Sequence, residues 1–233
     1  MIGRLTFFFA SIVSSLGGVT IPSASQQVVL VTSPDWASSK ASVRLFTKTG
    51  GAWTQTGPAM DAMTGRNGMG WGDAGAKPNK VEGDGRAPAG VFRFGVIFSK
   101  ERREFAMPSI LLTPSHEGVD DPKSRYYNQL VDRRKVRAPD WKTSEKMYES
   151  PHYHLGIWVR HNPANTPGAG SCIYLHEWVG RREGTAGCTI LRRDDLERLL
   201  GELRPEKNPV LIQLPEPAAK ESGIIPVLRA RRF

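Results

Sequence analysis

Between Gly65 and Gly90 the chain is dominated by Gly, Asp, Asn and Pro, and no regular helix can run through it. Glycine loses the most backbone entropy on folding, and proline lacks the amide that a helix needs. The same bias holds over the whole chain, with 24 glycines and 17 prolines in 233 residues, which favours a turn-rich, strand-rich fold over a helix bundle. Short runs rich in β-branched and aromatic residues surround these turns. Val28 to Val31, Val43 to Phe46, Val91 to Phe98, Tyr153 to Val159, Cys172 to His176 and Val210 to Leu214 read as strands. Gly50 and Gly51 read as a hairpin turn, and the polar stretch from Lys100 to Trp141 as a long loop excursion. One helix stands out. Leu196, Leu199, Leu200 and Leu203 fall at i, i+3, i+4 and i+7, Asp194 and Glu197 have capping-box spacing, and Gly201 and Pro205 mark the end. The expected class is mainly β with α, sandwich- or barrel-like, with few helices and long loops.

The first 25 residues bear on compartment. Arg4 precedes an apolar run from Leu5 to Val13, and small residues follow, with Ser23 and Ser25 at the −3 and −1 positions of a cleavage site. A membrane span needs about 20 mainly apolar residues. This run is shorter and is broken by Ser14, Ser15, Gly17 and Gly18. The reading is a signal peptide over 1–25, one main domain over 26–215 and a basic tail over 216–233, with no integral span in the mature chain. Export to the periplasm or cell envelope follows. The net charge of +9 loses one unit with Arg4, and in that compartment points to an anionic envelope polymer and away from nucleic acid.

The stretch Gly170 to Leu191, G-S-C-I-Y-L-H-E-W-V-G-R-R-E-G-T-A-G-C-T-I-L, carries the chemistry. His176 ends an apolar strand, and Cys188 follows twelve residues later, after a loop with three glycines. A cysteine nucleophile needs a base to take its proton, and histidine is the usual one. The amides of Gly187 and Cys188 are candidate oxyanion donors.

T-A-G-C, preceded by C-I-Y-L-H, resembles the active-site segment of L,D-transpeptidase (YkuD-type) catalytic domains. G-R-N-G-M-G-W-G and K-V-E-G-D-G-R-A-P-A-G look like that family's glycine-rich segment, and D-D-P-K-S-R-Y-Y-N-Q-L-V is similar to a segment of one branch. The matches are co-linear from Gly65 to Leu191, and the resemblance is taken to extend from Gln26 to Leu214. The resemblance implies a β-sandwich or barrel-like L,D-transpeptidase catalytic domain acting on peptidoglycan stem peptides as donor and acceptor, without a cofactor or catalytic metal. It implies Cys188 as nucleophile through a thioester acyl-enzyme, and His176 as general base and acid. The outcome is cell-wall cross-linking, or trimming by water as an L,D-carboxypeptidase. Many members carry arginine two residues after the cysteine, whereas Thr189 and Ile190 follow here; if that arginine holds a substrate carboxylate, either Arg192, Arg181 or Arg182 substitutes for it or the substrate end differs.

Other residues bear on the alternatives. His154 and Thr185 are candidate substrate contacts. His152 and His154, two apart, could with Asp120, Asp121 or His161 form a zinc peptidase site, and a non-catalytic peptidoglycan-binding module is a further alternative. Cys172, four residues before His176 on the same expected strand, reads as a buried thiol rather than a disulfide partner of Cys188. Asp84 is expected to form a turn with Gly83 and Gly85, and Glu82 to tie down the loop.

Overall fold

The structure, a computed structural model, describes residues 19–72, 78–181 and 183–229. The apolar run Leu5–Val13 and Arg182 lie outside them. Among the described residues, thirteen strands and three short α-helices follow one another. The strands are β1 (Gln27–Ser33), β2 (Lys40–Thr49), β3 (Ala52–Met63), β4 (Met69–Trp71), β5 (Ala87–Ser99), β6 (Ser109–Leu111), β7 (His116–Val119), β8 (Gln129–Asp132), β9 (Glu145–Lys146), β10 (Leu155–Val159), β11 (Tyr174–Glu177), β12 (Thr189–Leu191) and β13 (Val210–Pro215). The helices are α1 (Arg193–Glu202), α2 (Glu216–Glu221) and α3 (Ile224–Arg229).

Strand order β10-β11-β12-β3-β2-β1-β13-β5 closes on itself, because β5 pairs β13 along Gly90–Arg93 and then β10 along Phe94–Ser99. The register shifts between Ile157 and Val159, and that irregularity lets β5 serve two neighbours. The ring is therefore barrel-like, which removes the exposed edges an open sheet would leave. The β2–β3 hairpin turns through Gly50 and Gly51, at φ 58° and 83°. Two consecutive positive φ values give a turn whose twist matches the flanking strands.

Burial explains the strands. Every residue of β1, β10 and β13 is buried, which is why they read as continuous apolar runs instead of alternating ones. Leu196, Leu199, Leu200 and Leu203 all turn into the main core, packing α1 over β10 and β11. Its cap differs from expectation. Helix α1 begins at Arg193 with Arg192 at the N-cap position and no side-chain cap bond. Asp194 sits in the first turn, where a carboxylate favours the helix dipole, and Glu197 pairs with Arg193 (2.9 Å) rather than reaching back.

Two further regions depart from the sequence reading. The excursion from Lys100 to Trp141 holds β6, β7 and β8, and β7 joins β8 and β9 in a separate small sheet, order β8-β7-β9. Its strands are two to four residues long, and β8 and β9 bury no residue fully, so their composition stays polar and hides them. Past Pro215, where no periodicity shows, α2 and α3 bury Ala218, Ala219, Ile224 and Leu228 against the ring. Two helices of one to two turns are too short to write a periodic pattern. Among the described residues no helix is long and apolar enough to cross a membrane.

Candidate active site

Strand β11 lies between β10 and β12, with His176 opposite Gly156 on one side and Ile190 on the other. Cys188 enters β12 beside Tyr174. Both residues line one cleft of about 360 Å³, together with Glu145, His152, Tyr153, Arg181, Thr185 and Ile190. The loop between them crosses from β11 to its parallel neighbour and brings the two residues, twelve apart in the chain, to the same cleft.

Backbone pairing holds that loop. Thr185 donates its amide to the Thr64 carbonyl (2.8 Å) and accepts from the Arg66 amide (2.8 Å). Its hydroxyl donates to the Cys188 carbonyl (2.6 Å) and receives the Gly187 amide (3.0 Å). Thr185 therefore shapes the turn as well as lining the cleft, and the Gly187 amide is engaged by it. A Cβ on residue 187 would sit 3.1 Å from the Arg86 carbonyl, so a side chain there would push against the neighbouring loop. Behind the cysteine, the Thr189 hydroxyl donates to Gln213 Oε1 (2.6 Å), and Gln213 Nε2 donates to the Pro88 carbonyl (2.8 Å). This buried strut ties β12 to β13 and β5.

His176 Nδ1 lies 2.9 Å from the Glu177 carbonyl. A carbonyl only accepts, so Nδ1 carries the proton and Nε2 keeps its lone pair. That is the tautomer a general base needs. Tyr153 packs edge-on against the imidazole at 5.2 Å between centroids, and His152 lies 6.1 Å away. With His176 only 6% exposed, burial pushes its pKa down from 6.5 to about 4, so it is neutral at neutral pH.

Cys188 is 8% exposed. Its sulfur receives the Tyr174 amide (3.4 Å), and its thiol points at the Cys172 carbonyl (3.6 Å). Burial pushes the thiol pKa well above the ordinary range, and the nearby Glu145 adds to this, while the Tyr174 amide and Lys80 act in the opposite sense. The apo site is thus a neutral thiol beside a neutral imidazole.

Cys172 departs from the expected strand. It precedes β11 with φ 54°, its amide held by Asn128 Oδ1 (3.1 Å), and this left-handed turn aims its carbonyl at Cys188. Both cysteines are free and buried.

Lys80 opens the K-V-E-G-D-G string. Its buried ammonium donates to Asp84 Oδ1 (2.7 Å) and the Val81 carbonyl (2.6 Å), while Asp84 also receives the amides of Val81 and Arg86 (both 2.8 Å). Asp84 is a turn-maker, and Glu82 ties down the loop by accepting from the Tyr127 hydroxyl. Lys80 is the buried cation behind Cys188, a role that the sequence motif carries but its spacing alone does not state.

The remaining candidates divide. The cleft is lined by His152 and not by His154; both precede β10, which starts at Leu155, so no strand alternation relates them. The His154 carbonyl receives the Lys100 amide (2.9 Å). Arg192 is exposed at the start of α1, outside the cleft lining, whereas Arg181 lies on the rim. Asp121 accepts the amides of Lys123 (2.9 Å) and Lys142 (2.8 Å), and His161 Nε2 meets the Ala169 carbonyl (2.9 Å). Among the described residues no group of three or more His, Cys, Asp and Glu is placed to hold a metal ion. Glu145, Tyr153 and Arg181 complete the cleft. Glu145 and Tyr153 gave no signal, because the small sheet that carries Glu145 is brought to the cysteine only by tertiary packing.

Residues 37–212 match the family model of the L,D-transpeptidase catalytic domain, and the chain belongs to that family, which acts on peptidoglycan. No curated protein matches the chain. Among solved structures it is similar to the helical cell shape determining protein Pgp2 from Campylobacter jejuni, at 16% identity and TM-score 0.41, over 80% of this chain and 46% of that one. It is also similar to Bd1075 from Bdellovibrio bacteriovorus, at 14% identity and TM-score 0.39, over 81% of this chain and 47% of that one. The chain spans about half the length of these structures.

Proposed function

We propose that this member of the L,D-transpeptidase family is an exported cysteine acyl-transferase working on peptidoglycan stem peptides. The observation that supports it best is the placement of Cys188 and His176 in one cleft, the imidazole held as the Nδ1–H tautomer by the Glu177 carbonyl. In the first half-reaction the Cys188 sulfur attacks the carbonyl that joins the L-centre of a diamino acid to a terminal D-alanine. The thiol proton passes to His176 Nε2 as the S–C bond forms. The C–N bond to D-alanine then breaks, and His176 returns the proton to the departing amine. In the second, an acceptor amine gives its proton to His176 and attacks the thioester, and the thiol leaves with that proton.

Because both groups are neutral beforehand, no thiolate–imidazolium pair has to be maintained in the buried site. Charge develops only as attack proceeds, where Lys80 behind the cysteine favours it. The Gly187 amide is already bound to Thr185, so the Cys188 amide is the proposed oxyanion donor, joined by Gly187 only if that bond is given up. Arg181 on the rim is the proposed substitute for the arginine that Ile190 replaces, in reach of a substrate carboxylate.

A second reading keeps the same residues and lets water resolve the thioester, as in an L,D-carboxypeptidase. The absence of arginine two residues after the cysteine favours it, since acceptor handling is where this chain departs from the family pattern. Intact-mass detection of an adduct on Cys188, with muropeptides or a carbapenem, tests the shared chemistry, and Cys188→Ala must remove it. Wild-type protein that forms no adduct with either reagent overturns the proposal. Products formed with and without an acceptor amine separate cross-linking from trimming.

A further inference from the structure

Glu145 and Glu117 stand on neighbouring strands of the small sheet, one residue out of step: β7 pairs β9 with Gly118 opposite Glu145 and Glu117 opposite Lys146. Their surroundings differ. Glu117 is saturated, with Lys146 Nζ at 2.6 Å, the Ser144 hydroxyl at 2.6 Å and Trp141 Nε1 at 2.8 Å. Glu145 lines the cleft that holds Cys188 and His176, and among the described residues no lysine or arginine pairs with it. The Tyr153 hydroxyl donates to its Oε2 (2.8 Å). A carboxylate offers about four acceptor positions. The Tyr153 and Tyr174 hydroxyls act on it, which leaves acceptor capacity unused on a side chain that lines the cleft.

A carboxylate kept in a partly desolvated wall without a counter-charge is costly, and the cost is relieved when a cation arrives with the ligand. Burial raises the Glu145 pKa to about 7, and Asp120 and Glu82 add to the rise, so a bound cation is the partner that would restore its charge. Tyr153 fixes the carboxylate at one end and packs on the His176 ring at the other, so a cation held here is positioned relative to the base.

We propose that Glu145 is a specificity-determining residue that holds the protonated side-chain amine of the diamino acid whose carbonyl Cys188 attacks. This rests on the acyl-transfer reading above. The donor amine is assigned, not the acceptor amine, because the acceptor must arrive as a free base to attack. A carboxylate that keeps an amine protonated would suppress that attack.

The test compares two tetrapeptides, one with a free side-chain amine on its diamino acid and one with that amine acetylated. Their equilibrium binding is measured on Cys188→Ala and on Cys188→Ala/Glu145→Gln proteins, whose folds are checked by circular dichroism. The Cys188→Ala protein should prefer the free amine by roughly tenfold or more, as a lost charged pairing implies. Glu145→Gln should abolish that preference while leaving the acetylated peptide's affinity unchanged. Glu145→Asp, which keeps the charge if the glutamine variant fails to fold, should retain a reduced preference. Equal binding of both peptides by Cys188→Ala, an undiminished preference in the Glu145→Gln background, or an equal weakening of both peptides overturns the proposal. Acylation of wild-type Cys188 by the same peptides is read separately. Its failure overturns the acyl-transfer reading, whatever the binding shows.

Discussion

The cleft has two walls, and they are built differently. The ring wall, β11 and the start of β12, places its polar atoms on backbone partners: His176 on the Glu177 carbonyl, the cysteine sulfur on the Tyr174 amide, Thr185 on Gly187 and Cys188. The opposite wall comes from the small sheet and the turn before β10, and it brings Glu145, Tyr153 and His152 with side-chain partners or none. Backbone partners survive substitution at most positions, whereas side-chain partners change with one residue. On the proposed function, reactivity would belong to the ring wall and selectivity to the added wall.

The sharpest way to break that division is at the base. His176→Gln should lower the acylation rate of Cys188 by roughly 10²–10⁴-fold with the fold intact, as loss of a general base does, measured by time-resolved intact mass. In wild type, the acid limb of kcat/KM should lie near pH 4 instead of near 6.5, because His176 must be neutral to act and burial has lowered its pKa to about 4. A midpoint near 6.5 would show that the imidazole is not desolvated before substrate binds.

Next in size is Lys80→Met, which strips the buried cation from Asp84 and should cost about 3 kcal/mol in chemical denaturation, as breaking one partner of a buried pair does. It should also slow acylation, since the cation behind the sulfur is lost. A stable, fully active Lys80→Met protein would remove Lys80 from the ring wall's electrostatics.

Gly118→Ala probes the seam between the walls. A Cβ there would sit 2.5 Å from the Tyr174 hydroxyl and 3.1 Å from Cys172 Sγ. Both neighbours are buried, so the expected loss is about 1–3 kcal/mol, read as a lowered denaturation midpoint. An unaffected midpoint would mean that the small sheet can lift from the ring.

The smallest effect belongs to the added wall. The Glu145 pKa is raised from 4.5 to about 7, so its contribution to stability is complete below pH 4.5 and is lost as pH rises through about 7. Glutamine cannot ionise. Glu145→Gln should therefore match wild type near pH 4.5 and exceed it by on the order of 1 kcal/mol at about pH 8. A difference independent of pH would mean that the carboxylate is solvated.

Much of the ring wall was legible from sequence. Strands such as Val28–Val31 and Val210–Leu214 are buried on both faces and so write themselves as apolar runs. The Cys188 and His176 pair was legible because a strand, a glycine-bearing loop and a second strand lie within one stretch. The added wall was not. Glu145 reaches the cysteine through β9, a two-residue strand that has no room for a pattern, and His152 replaces His154 in the cleft because both precede β10, so no strand alternation relates them. Cys172 left its expected strand for a left-handed turn that only the contact with Asn128 explains.

The seat of β13 has a consequence in time. It inserts between β1 and β5, parallel to the first strand of the ring and antiparallel to the strand that also bonds β10. A growing chain that stops before Val210 leaves β1 and β5 each with a bare row of amides and carbonyls. It also leaves Gln213 absent from the strut that fixes Thr189 next to Cys188. The last ring strand to be synthesised is thus the keystone of the ring, so the surroundings of Cys188 are complete only once almost the whole domain has been made. Until then two strand edges stand open, and Thr189 lacks the partner that holds it.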